Sequence, residues 1–386
     1  MASIPGGQYV FAQGGQQVNV VTSPDGQNLP PPVTGEFNLE VVTGGVVPSA
    51  GLAPGYQGMA VLSDNGQTIN MAYGDWALQE NNYWWQQPST VIGGAGSDTI
   101  YGSNGPTLIV GGTGPDLING GSGPMTVQGG SGSDTIFGGS GNNLILGGAG
   151  ADTIYGGNNA NVIVGGSGPD VIYAGNGSDT IQGGAGADTI YGGGGSDVIT
   201  GGNGPDLIVG GAGKDTITGG TGSDTIFAGH GGDLITGGAG PDLIFGGDGR
   251  DTILAGTGSD TIFGGDAGSV IHGGAGQDLI YLGGGHNVAF GGSGADTIDG
   301  GAGSNLIFAG SGGTLIQDSG FTGQDTVVGF NQAHGDAITF AGENASTVDQ
   351  VVATATVNGG STTIHLPDGS TMTLVGITNI DHTFFH

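Results

Sequence analysis

Residues 93–102 read GGAGSDTIYG, a Gly-rich turn running into a short extended segment. The theme returns almost unchanged down most of the chain. Cut every nine residues from Gly93, the sequence gives 25 consecutive nonapeptides, ending at Gln317, with no insertion or deletion. The eighth position is Ile in nearly every copy, from Ile100 and Ile109 to Ile316, with Val127 and Ala289 as exceptions. Gly reaches positive φ without a Cβ penalty, so the first six residues of each copy read as a turn. The last three read as a strand, in which alternate side chains face opposite sides. Position eight then points inward, and positions seven and nine outward. One turn and strand cannot bury its own Ile, but stacked copies can, so the chain should coil into a solenoid. A turn at each strand end makes two strands per coil, hence a structural repeat of eighteen residues.

Composition narrows what such a solenoid can do. Gly supplies 94 of 386 residues, yet without the three-residue period of a collagen. The only basic residues are Lys214 and Arg250, against 33 acidic ones, for a formal charge of −31. That charge repels nucleic-acid phosphates and anionic membrane surfaces, and it attracts cations, divalent ones above all. No Cys is present, so disulfides, thiolate zinc sites and thiol catalysis are excluded. The opening MASIPGGQYVFAQGG lacks the basic start and apolar run of a signal peptide. No stretch approaches the ~20 apolar residues that span a bilayer, so membrane insertion is not expected. An export signal, if one exists, is expected elsewhere.

Separating odd from even nonapeptides separates the two edges of the coil. On the odd edge, position six reads Asp98, Asp116, Asp134, Asp152, Asp170, Asp188, Asp206, Asp224, Asp242, Asp260, Asp278 and Asp296, and only then Thr314. The even edge begins Thr107, Met125, Asn143, Asn161. It continues Asp179, Asp197, Asp215, Asp233, Asp251 and ends Ser269, Asn287, Asn305. Isolated Asp residues commonly cap turns. A ladder of them at eighteen-residue spacing points instead to divalent cations held between coils. Hard oxygen donors without Cys or matching His disfavour zinc, and flexible loop carbonyls suit the high coordination number of calcium better than the tight octahedron of magnesium. If each ion bridges two Asp eighteen residues apart, the odd edge offers about 11 sites and the even edge about 4, roughly 15 in all. The Asn positions have a milder reading, in which neutral amides bridge neighbouring coils by hydrogen bonds without a metal.

The repeat, Gly-Gly-x-Gly-x-Asp-x-Ile-x, resembles that of the RTX (repeats-in-toxin) calcium-binding β-roll family, over residues 93–317. The resemblance implies an all-β parallel β-roll, with each calcium held by Asp carboxylates and loop carbonyls between turns of adjacent coils. Burial of the inward apolar residues falls short of the entropy lost in ordering so Gly-rich a backbone, and the repeat region is therefore expected to be unfolded without calcium and to fold on binding it. The flanks complete the reading: 1–92 as a β-rich capping or docking domain, 93–317 as the roll, and 318–386 as a β-rich C-terminal cap. The last resembles the C-terminal region of RTX proteins exported by type I secretion, which implies an uncleaved C-terminal signal, passage through that machinery, and a secreted, extracellular or cell-surface location. A chain left unfolded at low cytosolic calcium can thread a channel and fold outside.

Two further features bear on partners. Position nine of the odd copies carries Tyr101, Phe137, Tyr155, Tyr173, Tyr191, Phe227, Phe245, Phe263 and Tyr281, which should form a column of rings on one flat face. Such a column can stabilise the sheet from outside. An exposed apolar strip with little charge can equally be an assembly face for a second copy. All three Trp, at 76, 84 and 85, fall in GDWALQENNYWWQQP; Trp76, Trp84 and Trp85 either plug the end of the solenoid or dock a glycan or another subunit. There is no His-Glu-x-x-His, no Gly-x-Ser-x-Gly, and the GGAGKD around Lys214 lacks the Ser or Thr of a phosphate loop. A non-enzyme is expected. The favoured reading is a calcium-dependent structural protein that self-assembles into a filament, surface layer or matrix. The alternative is an adhesin that binds cell-surface glycan through the Trp cluster. Outward Thr residues raise an ice-binding sheet as a distant third, interrupted as they are by Leu, Val and aromatics.

Overall fold

The structure, a computed structural model, describes the backbone of strands at 8–13, 16–23, 37–42, 58–61 and 68–70, and residues 89–386 apart from 103, 321 and 322. Trp76, Trp84 and Trp85 lie outside the described residues. The chain divides into two compact units, Met1–Gly193 and Gly194–His386.

In the first unit the even copies form one parallel sheet: Ser89–Ala95, Thr107–Thr113, Met125–Ser131, Leu144–Ala149, Val162–Ser167 and Thr180–Ala185. The odd copies form the other, from Thr99–Tyr101 through Thr135–Phe137 to Val171–Gly175 and Thr189–Gly194. Register advances by one eighteen-residue coil per strand, as in Ile109↔Val127↔Ile145 and Ile118↔Ile136↔Ile154. The sheets continue ahead of the repeat. Gly58–Val61 pairs with Ser89–Ala95, and Thr68–Asn70 with Thr99–Tyr101. Phe37–Val42 and Gln16–Ser23 add further parallel strands, and Gln8–Gln13 closes this end with an antiparallel one.

The second unit repeats the scheme, with Val198–Asn203 to Leu306–Phe308 on the even sheet and Leu207–Ala212 to Leu315–Asp318 on the odd one. Neither sheet stops at residue 317. Gln324–Val328 continues the even sheet and Ala337–Phe340 the odd one, through the pairs Ile307↔Val327 and Ile316↔Ile338. Insertions in the turns shift the coil from eighteen residues to longer spans there. An antiparallel meander, Thr356–Asn358, Ser361–His365 and Thr371–Leu374, then joins the even sheet. A helix, Ala345–Thr354, packs beside it with Val348 and Val351 buried. Asn344 caps that helix, accepting from Ser346 and Thr347 while the Thr347 hydroxyl accepts from the Asn344 N–H.

The core of both units is a column of position-eight side chains. Ile100, Ile145, Ile190, Ile208, Ile253 and Ile298 are each fully buried, as are Val127 and Ala289. Position one is Gly in most copies because a Cβ there would enter the space occupied by the position-six side chain. Position two needs Gly for its backbone. Gly112 sits at φ 119°, where an added Cβ would strike the carbonyl oxygen of Gly94 in the coil below. The parallel β-roll expected from the repeat is the fold found.

Candidate metal centres

Position six lies two residues before the core Ile, so its side chain also points inward. Every position-six Asp of the repeat is nearly sealed from water; Asp134, Asp170, Asp224 and Asp260 are 1% exposed. The turn fixes one carboxylate oxygen of each. The backbone N–H of Asp98 donates to Oδ1 of Asp116 at 2.7 Å, and the pattern recurs at 2.8 Å from Asp116 to Asp134, Asp134 to Asp152, and Asp152 to Asp170. In the second unit the odd edge runs from Asp206 through Asp224, Asp242, Asp260 and Asp278 to Asp296 in the same way, at 2.8–3.1 Å. The even edge does so from Asp197 through Asp215 and Asp233 to Asp251, at 2.8 Å each.

The other oxygen differs. Oδ2 of Asp116, Asp134, Asp152, Asp170, Asp215, Asp224, Asp233, Asp242, Asp251, Asp260, Asp278 and Asp296 is buried without a hydrogen bond. Its surroundings aggravate the problem. A Cβ built on Gly129 would lie 2.5 Å from Asp134 Oδ2 and 2.5 Å from the carbonyl oxygen of Gly147. On Gly246 the corresponding distances are 2.9 Å to Asp251 Oδ2 and 2.9 Å to the Gly264 carbonyl. The bare carboxylate oxygen and the next coil's carbonyl oxygen therefore crowd the same small volume. Two negative oxygens in a dry site repel one another unless a proton or cation joins them.

The carboxyl groups register this. Burial first, then the charges of neighbouring Asp, outweighs the stabilising backbone N–H and pushes Asp116 up to about 6. Asp134, Asp242, Asp251 and Asp260 also rise to about 6, and Asp170 to about 7. Asp152, Asp179, Asp188, Asp215, Asp224, Asp233, Asp278 and Asp296 move in the same direction, with burial again the largest cause.

Among the described residues, no three Asp, Glu, His or Cys side chains converge on one point. A cation here must therefore take its remaining donors from backbone carbonyls. Carboxylates on consecutive coils and turn carbonyls together make an all-oxygen, flexible donor set, which fits calcium.

Where position six is not Asp, neutral atoms fill the space. Asn143 Nδ2 donates to the carbonyls of Gly141 at 2.9 Å and Gly156 at 3.3 Å, and to Oδ1 of Asn161 at 3.1 Å. Asn287 Nδ2 donates to Leu282, to Gly284 and to Oδ1 of Asn305. At Met125 the terminal methyl group occupies the ground next to Gly120.

Two position-six residues escape the sequence frame. Asp325 accepts from the N–H of Asn305 at 3.0 Å and its amide at 2.8 Å, and Asp336 accepts from the N–H of Thr314 at 2.9 Å. They lie 20 and 22 residues on, so a strict count of nine passes them by. Their signal is local: GQDTVVG and HGDAITF repeat the Gly-to-Asp-to-aliphatic order of the nonapeptides. Asp336 needs no cation, since its Oδ2 accepts from Asn331 at 2.7 Å.

The aromatic residues stand on the outer faces. In the first unit Phe137, Tyr155, Tyr173 and Tyr191 stack at centroid spacings of 4.8, 5.0 and 4.9 Å, with planes within 7°. In the second, Phe227, Phe245, Phe263 and Tyr281 stack at 4.7–4.8 Å. A third column, His272, Phe290 and Phe308, lies on the even sheet of the second unit.

The model of the RTX calcium-binding nonapeptide repeat matches this chain in overlapping blocks over residues 89–123 and 128–316, well over half its length. The chain belongs to that family. RTX repeats bind calcium, and their proteins are typically exported by type I secretion. The buried Asp series stands where the family's motif places its Asp. No curated protein matches the chain. Among the described residues, no helix is long and apolar enough to cross a membrane.

Proposed function

We propose that this protein is a secreted, calcium-dependent structural protein: a β-roll that folds when it meets calcium outside the cell and then associates with further copies of itself into a filament, surface layer or matrix. The carrying observation is the buried Oδ2 row set against carbonyl oxygens, an arrangement that a cation stabilises and that ionised carboxylates alone oppose. In this reading Asp98, Asp116, Asp134, Asp152, Asp170, Asp188, Asp206, Asp224, Asp242, Asp260, Asp278 and Asp296 hold ions on the odd edge. Asp179, Asp197, Asp215, Asp233 and Asp251 hold them on the even edge. Calcium would supply charge neutralisation there. The chain's own contribution is the Gly-built turn that aims the oxygens and keeps water out.

Self-association draws support from the outer faces. The rings spend their flat faces on one another and present edges outward, flanked by Thr, Leu and Val at position seven. Phe137, Tyr155, Tyr173 and Phe227 remain 37–39% exposed. Sugar binding by aromatic stacking uses exposed ring faces, which the rings inside these columns lack, so their length favours a protein partner with an equally flat face. Circular dichroism with light scattering, with and without calcium, tests the whole reading. Gain of β signal followed by growth of scattering supports it. A folded chain without calcium removes the first half, and a calcium-loaded chain that stays monomeric at high concentration removes the second.

A further inference from the structure

The even edge changes character along its length, and the Asn positions show what the change means. The amide nitrogen of Asn143 sits 2.8 Å from where a Cβ on Gly138 would be, just as Oδ2 of Asp134 crowds Gly129. Asn161 Nδ2 holds the same post at 2.9 Å from Gly156. The nitrogen is thus in the place of the orphaned carboxylate oxygen, but it carries hydrogens instead of a negative charge. Its acceptors are the oxygens that crowd the Asp coils: turn carbonyls and Oδ1 of the residue eighteen positions on. In the second unit Asn287 and Asn305 donate to carbonyls of their own turns and to the side chain of the next coil: Asn287 Nδ2 to Leu282, Gly284 and Asn305 Oδ1, and Asn305 Nδ2 to the Gly300 carbonyl at 2.8 Å and to Asp325 Oδ1, twenty residues on, at 2.8 Å.

We infer that the side-chain amides of Asn143, Asn161, Asn287 and Asn305 stand in for calcium ions, so that their coils are closed without metal while the coils of Asp215, Asp233 and Asp251 are not. The inference rests on the proposed calcium requirement and adds to it a rule for which coils take an ion. A carboxamide bridges neighbouring coils by N–H donation, and a carboxylate requires a cation to make the same bridge. The cross-coil backbone bond is unaffected by the choice, since Asn143 N–H donates to Asn161 Oδ1 at 3.1 Å as Asp215 N–H does to Asp233 Oδ1 at 2.8 Å. Asn and Asp have nearly the same shape, so the exchange alters charge and hydrogens with little change in packing.

The rule makes an unusual demand on a binding-site mutation. In the full chain, Asp215→Asn with Asp233→Asn removes about three ions, one for each of the Asp197–Asp215, Asp215–Asp233 and Asp233–Asp251 bridges in which either residue takes part. It should nevertheless move the calcium midpoint of folding to at least about twofold lower concentration, because fewer ions are required for the same fold. Asp215→Ala with Asp233→Ala removes the same ions and moves the midpoint upward, since Ala donates nothing. The reciprocal pair, Asn143→Asp with Asn161→Asp, should add about two bound ions and raise the midpoint. Stoichiometry is read by equilibrium dialysis with radioactive calcium, and folding by circular dichroism. Asn variants that behave like the Ala variants, that fail to fold at saturating calcium, or reciprocal variants that gain no ions, overturn the inference while leaving the calcium requirement intact. A wild-type chain that folds without calcium instead overturns the proposed function.

Discussion

Acid should do part of calcium's work. The folded, metal-free roll must bury carboxylates that prefer water, and a proton removes that penalty as a cation does. A carboxyl whose folded value rises from 3.8 to about 6 disfavours the folded chain at neutral pH by about 3 kcal/mol, each unit being worth about 1.4 kcal/mol. Asp116, Asp134, Asp242, Asp251 and Asp260 share that value, and Asp170 reaches about 7. Because neighbouring carboxylates raise one another, these costs are shared rather than additive, and a few of them already rival the roughly 5–15 kcal/mol net stability of an ordinary domain. Because the folded values are raised, the folded chain binds more protons than the unfolded one between about pH 4 and 7. The stability of the metal-free roll is therefore fully present below the unfolded value and is lost as pH rises through 6 to 7. Protein freed of calcium by dialysis should show little β signal at pH 7.5 and gain it on titration to about pH 5. The titration stops there because the net charge vanishes near the isoelectric point of 4.1, where association obscures the reading. The calcium-loaded protein should move the other way, shedding ions over the same window. Strong β signal at pH 7.5 in metal-free protein, or no gain on acidification, refutes the reasoning.

Other consequences are simpler to score. Gly129→Ala places a methyl group 2.5 Å from both Asp134 Oδ2 and the Gly147 carbonyl, and calorimetry should show at least one high-affinity calcium site lost. Ile208→Ala opens a cavity in the fully buried Ile column and should cost about 2–5 kcal/mol in denaturant unfolding of the calcium-loaded protein. Tyr155→Ser with Tyr173→Ser should leave calcium binding unchanged and reduce light scattering at a fixed concentration, since both rings stand on the outer face. Asn344→Ala removes the helix cap and should lower stability by about 1 kcal/mol, with no change in bound calcium.

Much of this was legible in the chain because the repeat has one meaning per position. Ile at position eight could only be core, and the buried Ile column of each unit follows from the period alone. The odd and even Asp series could be told apart by counting, and each residue is buried where the count puts it. What escaped did so where the count fails. Asp325 and Asp336 extend the two edges across longer turns, so they share a geometry with Asn305 and Thr314 that no fixed period reveals. The continuation of both sheets beyond 317 escaped for the same reason. Of the third ring column, Phe290 and Phe308 are legible as aromatic outward positions at the end of the even series, and only His272 hides among ordinary ones. That carboxylates such as Asp134 and Asp251 have one satisfied and one crowded oxygen is a three-dimensional fact, set by how the turn rotates the side chain.

The most direct trial of the account is an anomalous difference map from crystals grown in calcium. It should place a peak between successive odd-edge carboxylates, touching Oδ2 of Asp116, Asp134 and their successors together with turn carbonyls, and nothing at Asn143 or Asn287. A map without peaks along that row, in a chain folded as described, would contradict it.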